Sequence, residues 1–421
     1  MNPILPPFYY IPDVEGRQWE DGRMYIYGSH DICGNTNYCS HKYRVFSSDN
    51  LIDWQDHGIS FISENVRWSN ATLYAPDCIY RNGIYYLYFC MADNSEGVAE
   101  SRYPYGPFKN AKPIEGANKD AIDPAVFVDD DGEIYYYWGQ FKARGARLKG
   151  MTKIDKETLN TNLLDEKEHG FHEGISIRKR NGIYYAIYTD ISRGKASCIS
   201  YATSKSPLGP FKKGGIIIDN IGCDPQTWNN HGSISEFNGK WYIFYHRSSQ
   251  GSKFSRRVCM EPINFNEDGS INEVEMTTQG ISEPIKAISK IDAYRACLLS
   301  GKIHTEVEYL VNHHIEYLAF IENNDWAAYK YINFESGVSK FEIKASTFTS
   351  GGIIELRIDS IDGPIIGECY ISSTNGWNKW KNFSCAVDSS VRGVHALYLI
   401  FKNNKNSWGR LFNVKSFEFK V

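Results

Sequence analysis

Asn82-Gly83-Ile84-Tyr85-Tyr86-Leu87-Tyr88 is a tight-turn dipeptide feeding a tyrosine-rich apolar run, and the chain repeats the pattern four more times. The other copies are Asp21-Gly22-Arg23-Met24-Tyr25-Ile26-Tyr27, Asp131-Gly132-Glu133-Ile134-Tyr135-Tyr136-Tyr137, Asn181-Gly182-Ile183-Tyr184-Tyr185-Ala186-Ile187-Tyr188 and Asn238-Gly239-Lys240-Trp241-Tyr242-Ile243-Phe244-Tyr245. Asn-Gly and Asp-Gly between apolar runs signal hairpins, because a tight hairpin turn needs positive φ. The glycines are spaced 61, 49, 50 and 57 residues apart, room for one four-stranded unit per period. Five such units close a ring over about residues 5 to 280, a five-bladed β-propeller. A second echo, Glu100-Ser101-Arg102-Tyr103-Pro104-Tyr105-Gly106-Pro107-Phe108 against Thr203-Ser204-Lys205-Ser206-Pro207-Leu208-Gly209-Pro210-Phe211, marks outer strands. After about Ser282 the period vanishes and short strands with turns suit a β-sandwich of jelly-roll type. The expectation is an all-β chain with a propeller over 1–281 and a sandwich over 282–421.

Composition narrows the partners. The 421 residues carry 46 basic and 50 acidic side chains, a formal net charge of −4. That balance argues against nucleic acid or an anionic membrane surface as a partner. No stretch approaches the ~18 apolar residues of a membrane span. Met1 to Pro7 has neither a basic nor an apolar leader segment, so the expected location is cytoplasmic as written, or secreted with a leader outside this chain. The ten cysteines form no C-x-x-C pair; Cys33 and Cys39, in one loop, would pair only in an exported protein. Aromatic residues make up 14%, which suits strands and also stacking on a flat ligand.

The acids recur at one phase of the repeat. Asp13, Asp123 and Glu173 each lie 9 residues before a hairpin glycine, with Asp77 at 6 and His231 at 8. Innermost propeller strands line the axis, so equivalent phase converges these side chains at one end of the central channel. An acid singled out alone is more often a turn residue; three acids and a histidine in phase point to a site. Glu173 sits in Phe171-His172-Glu173-Gly174, with no lysine until Lys179, surroundings that suit a proton donor. Paired carboxylates flanking an aromatic cleft are the equipment for cleaving a glycosidic bond. G-x-S-x-G, H-E-x-x-H and P-loop motifs are absent.

As a set, several segments resemble glycoside hydrolase family 43 over about residues 2–280. They are Ile122-Asp123-Pro124-Ala125-Val126-Phe127, Tyr74-Ala75-Pro76-Asp77, Glu173-Gly174 before its hairpin, and Asn230-His231-Gly232-Ser233 before Tyr245-His246-Arg247. The resemblance implies a five-bladed propeller with an inverting mechanism. It implies Asp13 as general base, Asp123 as the residue that modulates and orients the acid, and Glu173 as general acid. It implies that His231 contacts a channel metal, often calcium, through water, with no organic cofactor, and that Arg247 lies near substrate; Asp77, by its phase in the repeat, is a further candidate substrate contact. The family usually has Ala-Asp-Pro at the first acid; here Ile11-Pro12-Asp13-Val14-Glu15 leaves Glu15 as a competitor for the base. Inversion calls for base and acid carboxyls ~6.5–9.5 Å apart. His41 and Trp68, in the stretches Asp31–Tyr43 and Ser60–Thr72 expected to wall the site, are further candidate substrate contacts.

The tail resembles carbohydrate-binding module family 6 through Asn324-Asp325-Trp326-Ala327-Ala328-Tyr329, Gly352-Ile353-Ile354-Glu355-Leu356-Arg357-Ile358 and Thr374-Asn375-Gly376-Trp377-Asn378-Lys379-Trp380. That resemblance implies a sugar sandwiched between Phe320 and Trp377, with Asn406 as a polar contact. Tyr294 and Lys415 stand where that family usually has acids for a structural calcium. The expected function is an exo-acting α-L-arabinofuranosidase or β-D-xylosidase on hemicellulose, arabinoxylan or its oligosaccharides. Two alternatives stay open: a sugar-binding propeller without catalysis, and an endo-arabinanase or exo-galactanase of the same fold.

Overall fold

The computed structural model describes every residue except 118–120, 311–312, 336 and 404–408. The five repeats are five antiparallel sheets. The first holds Glu15–Gln18, Met24–Gly28, Lys42–Ser48 and Gln55–Ile62 in that order; the second holds Asp77–Arg81, Ile84–Cys90, Glu96–Ser101 and Lys109–Pro113. The third is built on Ala125–Val128, Ile134–Trp138 and Lys142–Lys149, with Lys153–Ile154 and Asn160–Asp165 both pairing with Lys142–Lys149. Phe171–Arg180, Ile183–Asp190, Cys198–Ser204 and Lys212–Asp219 form the fourth, and Ile234–Phe237, Lys240–Ser249 and Ser252–Ile263 the fifth. The N-terminus runs beside the fifth sheet and closes the ring: Ile4 N–H donates to Val258 O, and Asn2 Oδ1 accepts from Met260 N–H at 2.9 Å.

The repeated turns divide into two kinds. Asn82, Asn181 and Asn238 each have φ 50°, followed by a glycine at positive φ, the two-residue turn whose twist matches its strands. In the Asp-Gly copies only Gly22 and Gly132 are left-handed, and the turn widens, with Trp19 N–H donating to Arg23 O and Asp129 N–H to Glu133 O. The tyrosines pack sheet on sheet. Tyr27 Oη donates to Pro104 O at 2.6 Å and Tyr137 Oη to Pro207 O at 2.9 Å, so the two Tyr-Gly-Pro-Phe-like echoes receive the same bond from the preceding blade.

Beyond the fifth blade, two six-stranded sheets face each other around a core that includes Tyr329, Phe341, Leu356, Leu399 and Phe417. This sandwich is welded to the propeller. Ile217, Tyr245 and Cys259 share one buried cluster with Cys297, Ala328 and Ile400. Across the seam, buried Arg257 donates to Glu316 at 2.7 Å and to Tyr10 Oη at 2.8 Å. All ten cysteines are free; Cys33 Sγ faces Gln250 Oε1 and Cys39 is buried beside Arg256.

Candidate active site

Two of the in-phase acids share an uncommon backbone conformation. Asp13 has φ 57° and Asp123 φ 54°, the left-handed region that aspartate tolerates better than most residues. The residue before each accepts an equivalent bond, Ser29 N–H to Pro12 O and Gly139 N–H to Ile122 O, both 3.0 Å. In the fourth blade the residue after the acid, Gly174, takes the left-handed conformation instead, at φ 67°. A Cβ there would lie 2.8 Å from the His231 ring, so glycine lets that imidazole pack against the strand.

The three carboxyls meet in one cavity of about 150 Å³, lined by Asp13, Tyr38, Cys39, Tyr74, Ile122, Asp123, Gln140, Glu173, Asn229, His231 and Arg256. At about 30 Å³ per water this holds roughly five waters, the scale of one sugar ring rather than a chain. A larger groove of about 710 Å³ between the outer strands of the first two blades holds none of these acids.

The environments of the carboxyls differ. Burial alone would raise Asp13, but Arg256 Nη1 donates to its Oδ1 at 2.9 Å, with His246 and His231 Nδ1 at 3.4 and 3.7 Å. These neighbours hold the Asp13 carboxyl far below the usual carboxylate range. Burial, then the nearby charges of Glu173 and Asp13, push Asp123 well above that range. Glu173 is met by two neutral amides, Gln140 Nε2 at 2.9 Å and Asn229 Nδ2 at 3.3 Å. Arg256 is itself fixed by Asp31, which accepts from its Nε and Nη2 at 2.9 Å.

Along the first strand, alternate residues face the axis, so Asp13 is followed inward by Glu15 and Arg17. Arg178 donates to Glu15 at 2.6 Å, and Arg17 donates to both oxygens of Asp77, at 2.7 Å each from Nη2. This buried quartet spans the first, second and fourth blades and fills the axis rather than the cavity. Glu15 and Asp77 therefore lie outside the cavity lining that holds Asp13.

Residues 1–271 match the model for glycosyl hydrolases family 43. The chain belongs to that family. It is a glycoside hydrolase, and residues 300–421 match the model for carbohydrate binding module family 6. Among its relatives, a xylosidase/arabinosidase of Thermoclostridium stercorarium is 31% identical over 96% of both chains. A solved family 43 arabinoxylan arabinofuranohydrolase from Bacillus subtilis, in complex with cellotetraose, aligns over 100% of this chain and 97% of that one, with TM-score 0.56 and 28% identity. A family 43 β-xylosidase/α-arabinofuranosidase from a compost metagenome, in a calcium-free complex with xylotriose, aligns over 65% of this chain and 97% of that one, with TM-score 0.58 and 31% identity.

The remaining sequence candidates of this family 43 chain are scattered. His41 is exposed, with Nδ1 2.9 Å from Ser63 Oγ. Trp68 packs on Phe89, ring centroids 6.4 Å apart, and its stretch lines the outer groove. Arg247 is buried against Tyr245 Oη and Thr277 O, away from the cavity. The stretch Asp31–Tyr43 does wall the site, through Tyr38 and Cys39. Gln140, Asn229 and Arg256 were not anticipated. Asn229 adjoins the Asn230-His231-Gly232 motif, while a lone arginine on the last hairpin carries no pattern.

In the module, Phe320 and Trp377 do face a common slot, and Arg410 fills it. Its guanidinium carbon lies 4.1 Å from the Phe320 centroid and 4.6 Å from that of Trp377. His304 stacks on Phe320 at 4.4 Å. Asn406 lies outside the described residues. Tyr294 lies beneath the guanidiniums of Arg257 and Arg295, 5.8 and 5.2 Å away, and Lys415 is near Lys344 and Lys290.

Proposed function

We propose that this enzyme is an inverting exo-glycosidase that removes single arabinofuranosyl or xylosyl residues from hemicellulose, arabinoxylan or its oligosaccharides. The observation that carries the reading is one small cavity holding three carboxyls, two of which, Asp13 and Asp123, are pushed in opposite directions. Asp13, kept ionised by Arg256, takes a proton from the water that attacks the anomeric carbon. Glu173 gives a proton to the departing glycosidic oxygen as the bond breaks. Asp123 orients Glu173, and because two carboxyls this close resist ionising together, its presence favours keeping a proton at the pair for Glu173 to deliver. Arg256 secures the charge on Asp13 at some expense of basicity, since a depressed pKa makes a weaker base. A cavity closed inward by the axial ion-pair quartet favours exo action, and the names of the relatives favour pentose substrates.

A calcium ion there would meet Asn229 through its side-chain oxygen and His231 through water. His231 is buried on the cavity wall, and Asn229 Oδ1 is buried without a hydrogen-bond partner. One side-chain oxygen leaves most of a hard cation's shell to water, and the ion would supply positive charge against the carboxylates. Elsewhere, among the described residues, Asp165, Glu168 and His169 bring three metal-capable atoms within 4.8 Å of one another. Asp165 there already caps Glu168 N–H.

The test is a panel of aryl xyloside, arabinofuranoside and galactofuranoside, with and without chelator, with the first product's anomer read by proton NMR. Release of pentose with inverted configuration, abolished in Glu173→Gln, is the expected result. A Gln variant as fast as the parent overturns the acid assignment.

A further inference from the structure

The cavity wall beside Glu173 continues outward as an arc of aromatic rings. Tyr38 lines the cavity, with the Arg256 guanidinium 4.8 Å over its ring and Phe254 edge-on at 4.7 Å. Phe254 and Arg256 stand two residues apart on Ser252–Ile263, so both side chains lie on the face turned toward the site. The Lys253 ammonium lies 5.2 Å from the Phe254 centroid and 5.3 Å from that of Trp228. Trp228 in turn precedes Asn229, which lines the cavity and donates to Glu173. The arc therefore leaves the cavity at Tyr38 and returns to it at Asn229.

Trp228 is 53% exposed. An indole with that much surface in water, steadied by a lysine and standing next to a group that holds the acid, offers a large flat face to a sugar. The ring whose bond is cut belongs in the small cavity. The glycosidic oxygen must sit at Glu173, so the leaving group lies beyond that carboxyl, on the Asn229 and Trp228 side.

We propose that Trp228, backed by Lys253 and Phe254, is the platform on which the leaving-group sugar stacks. This rests on the exo-pentosidase reading above and adds the residue that selects for an oligosaccharide leaving group. A stacked aromatic face recognises the apolar C–H face of a pyranose ring, which fits a xylose unit of a xylan backbone.

The experiment compares the parent with Trp228→Ala and Trp228→Phe on xylobiose and on arabinofuranosyl-substituted xylotriose. It also measures product inhibition by free xylose and arabinose, which report on the inner cavity. In the Ala variant kcat/KM on the oligosaccharides falls roughly tenfold, a change of about 1.4 kcal/mol. The monosaccharide inhibition constants and the melting temperature stay unchanged, and Phe restores most of the loss. Equal oligosaccharide cleavage by parent and Ala variant overturns the platform alone. A parent that leaves every oligosaccharide intact overturns the platform and the exo-pentosidase reading together.

Discussion

Arg256 Nη1 donates to Asp13 Oδ1 at 2.9 Å, and the same guanidinium is gripped through its other nitrogens by Asp31. One cation, buried to 2% exposure, thereby separates two carboxyls that share a cavity. At Asp13 the guanidinium outweighs burial and holds the carboxyl down; at Asp123 burial and the like charges of Glu173 and Asp13 outweigh Arg256 and push the carboxyl up. The different environments assign different tasks to chemically similar groups.

Replacing Arg256 with lysine removes the planar fork that serves both aspartates at once. Asp13 then holds its proton to higher pH, so the acid limb of the kcat/KM profile moves upward, with a loss of roughly tenfold to a hundredfold near pH 5 that narrows toward neutrality. Stability follows the same sign. The folded-state pKa of Asp13 is depressed, so its contribution is present above the ordinary carboxylate pKa and is lost as pH falls through the folded value. A pH–rate profile of the variant with an unchanged acid limb would remove Arg256 from this role.

Glu173 is held by two neutral donors, Gln140 and Asn229. Truncating either to alanine frees the carboxyl to swing, and a misplaced acid costs most where the leaving group most needs its proton. Each variant should lose about tenfold in kcat on an alkyl or sugar leaving group and much less on a dinitrophenyl one. Equal losses on both classes of leaving group would mean that the amides bind substrate instead of placing the acid.

The propeller was legible because its turns are chemically forced. Asn82, Asn181 and Asn238 adopt positive φ, and few residues do so at low cost. The convergence of Asp13, Asp123 and Glu173 was legible because each blade presents the same phase to the axis. Arg256 and Asp31 were not, since they meet across 225 residues of sequence and neither carries a repeat signature. Trp68 and Trp228 look alike as loop tryptophans. Packing separates them: Trp68 lies on Phe89 in a core cluster, while Trp228 stands over Lys253 with half its surface open. Likewise, the module's aromatic pair could be read from its segments, but the side chain between the rings could not.

Glu96 supplies a test of stability alone. It is buried, and burial pushes its pKa up to about 8 against the small opposing effect of the Tyr136 hydroxyl. A folded-state pKa above the unfolded value gives stability that is complete below about 4.5 and is lost as pH rises toward 8. Glu96→Gln keeps the shape and removes the titration. The variant should be more stable than the parent by about 1–3 kcal/mol at pH 8, with the difference vanishing near pH 4. Thermal melts across that range decide it; a parallel pH dependence in both proteins would assign the slope to other groups.

The module offers the last test, because its aromatic slot is occupied from within. Arg410 lies between Phe320 and Trp377, donates to Asn413 Oδ1 at 2.9 Å, and has its Nε buried without a partner. A sugar ring could stack there only by expelling a guanidinium that gains from both faces, an exchange of about 1–2 kcal/mol per desolvated cation–π contact. Across the same stack, His304 meets Gly251 of the propeller's last hairpin, 3.1 Å from where a Cβ would stand. The rings are thus part of the seam that joins the two halves. Affinity electrophoresis in soluble xylan, run with Glu173→Gln to prevent cleavage, should show little retardation due to Trp377. Adding Arg410→Ala should open the slot and produce retardation that Trp377→Ala abolishes. If the module with Arg410 in place already binds xylan through Trp377, the guanidinium does not block the slot. If neither form binds, the rings serve the seam rather than a ligand.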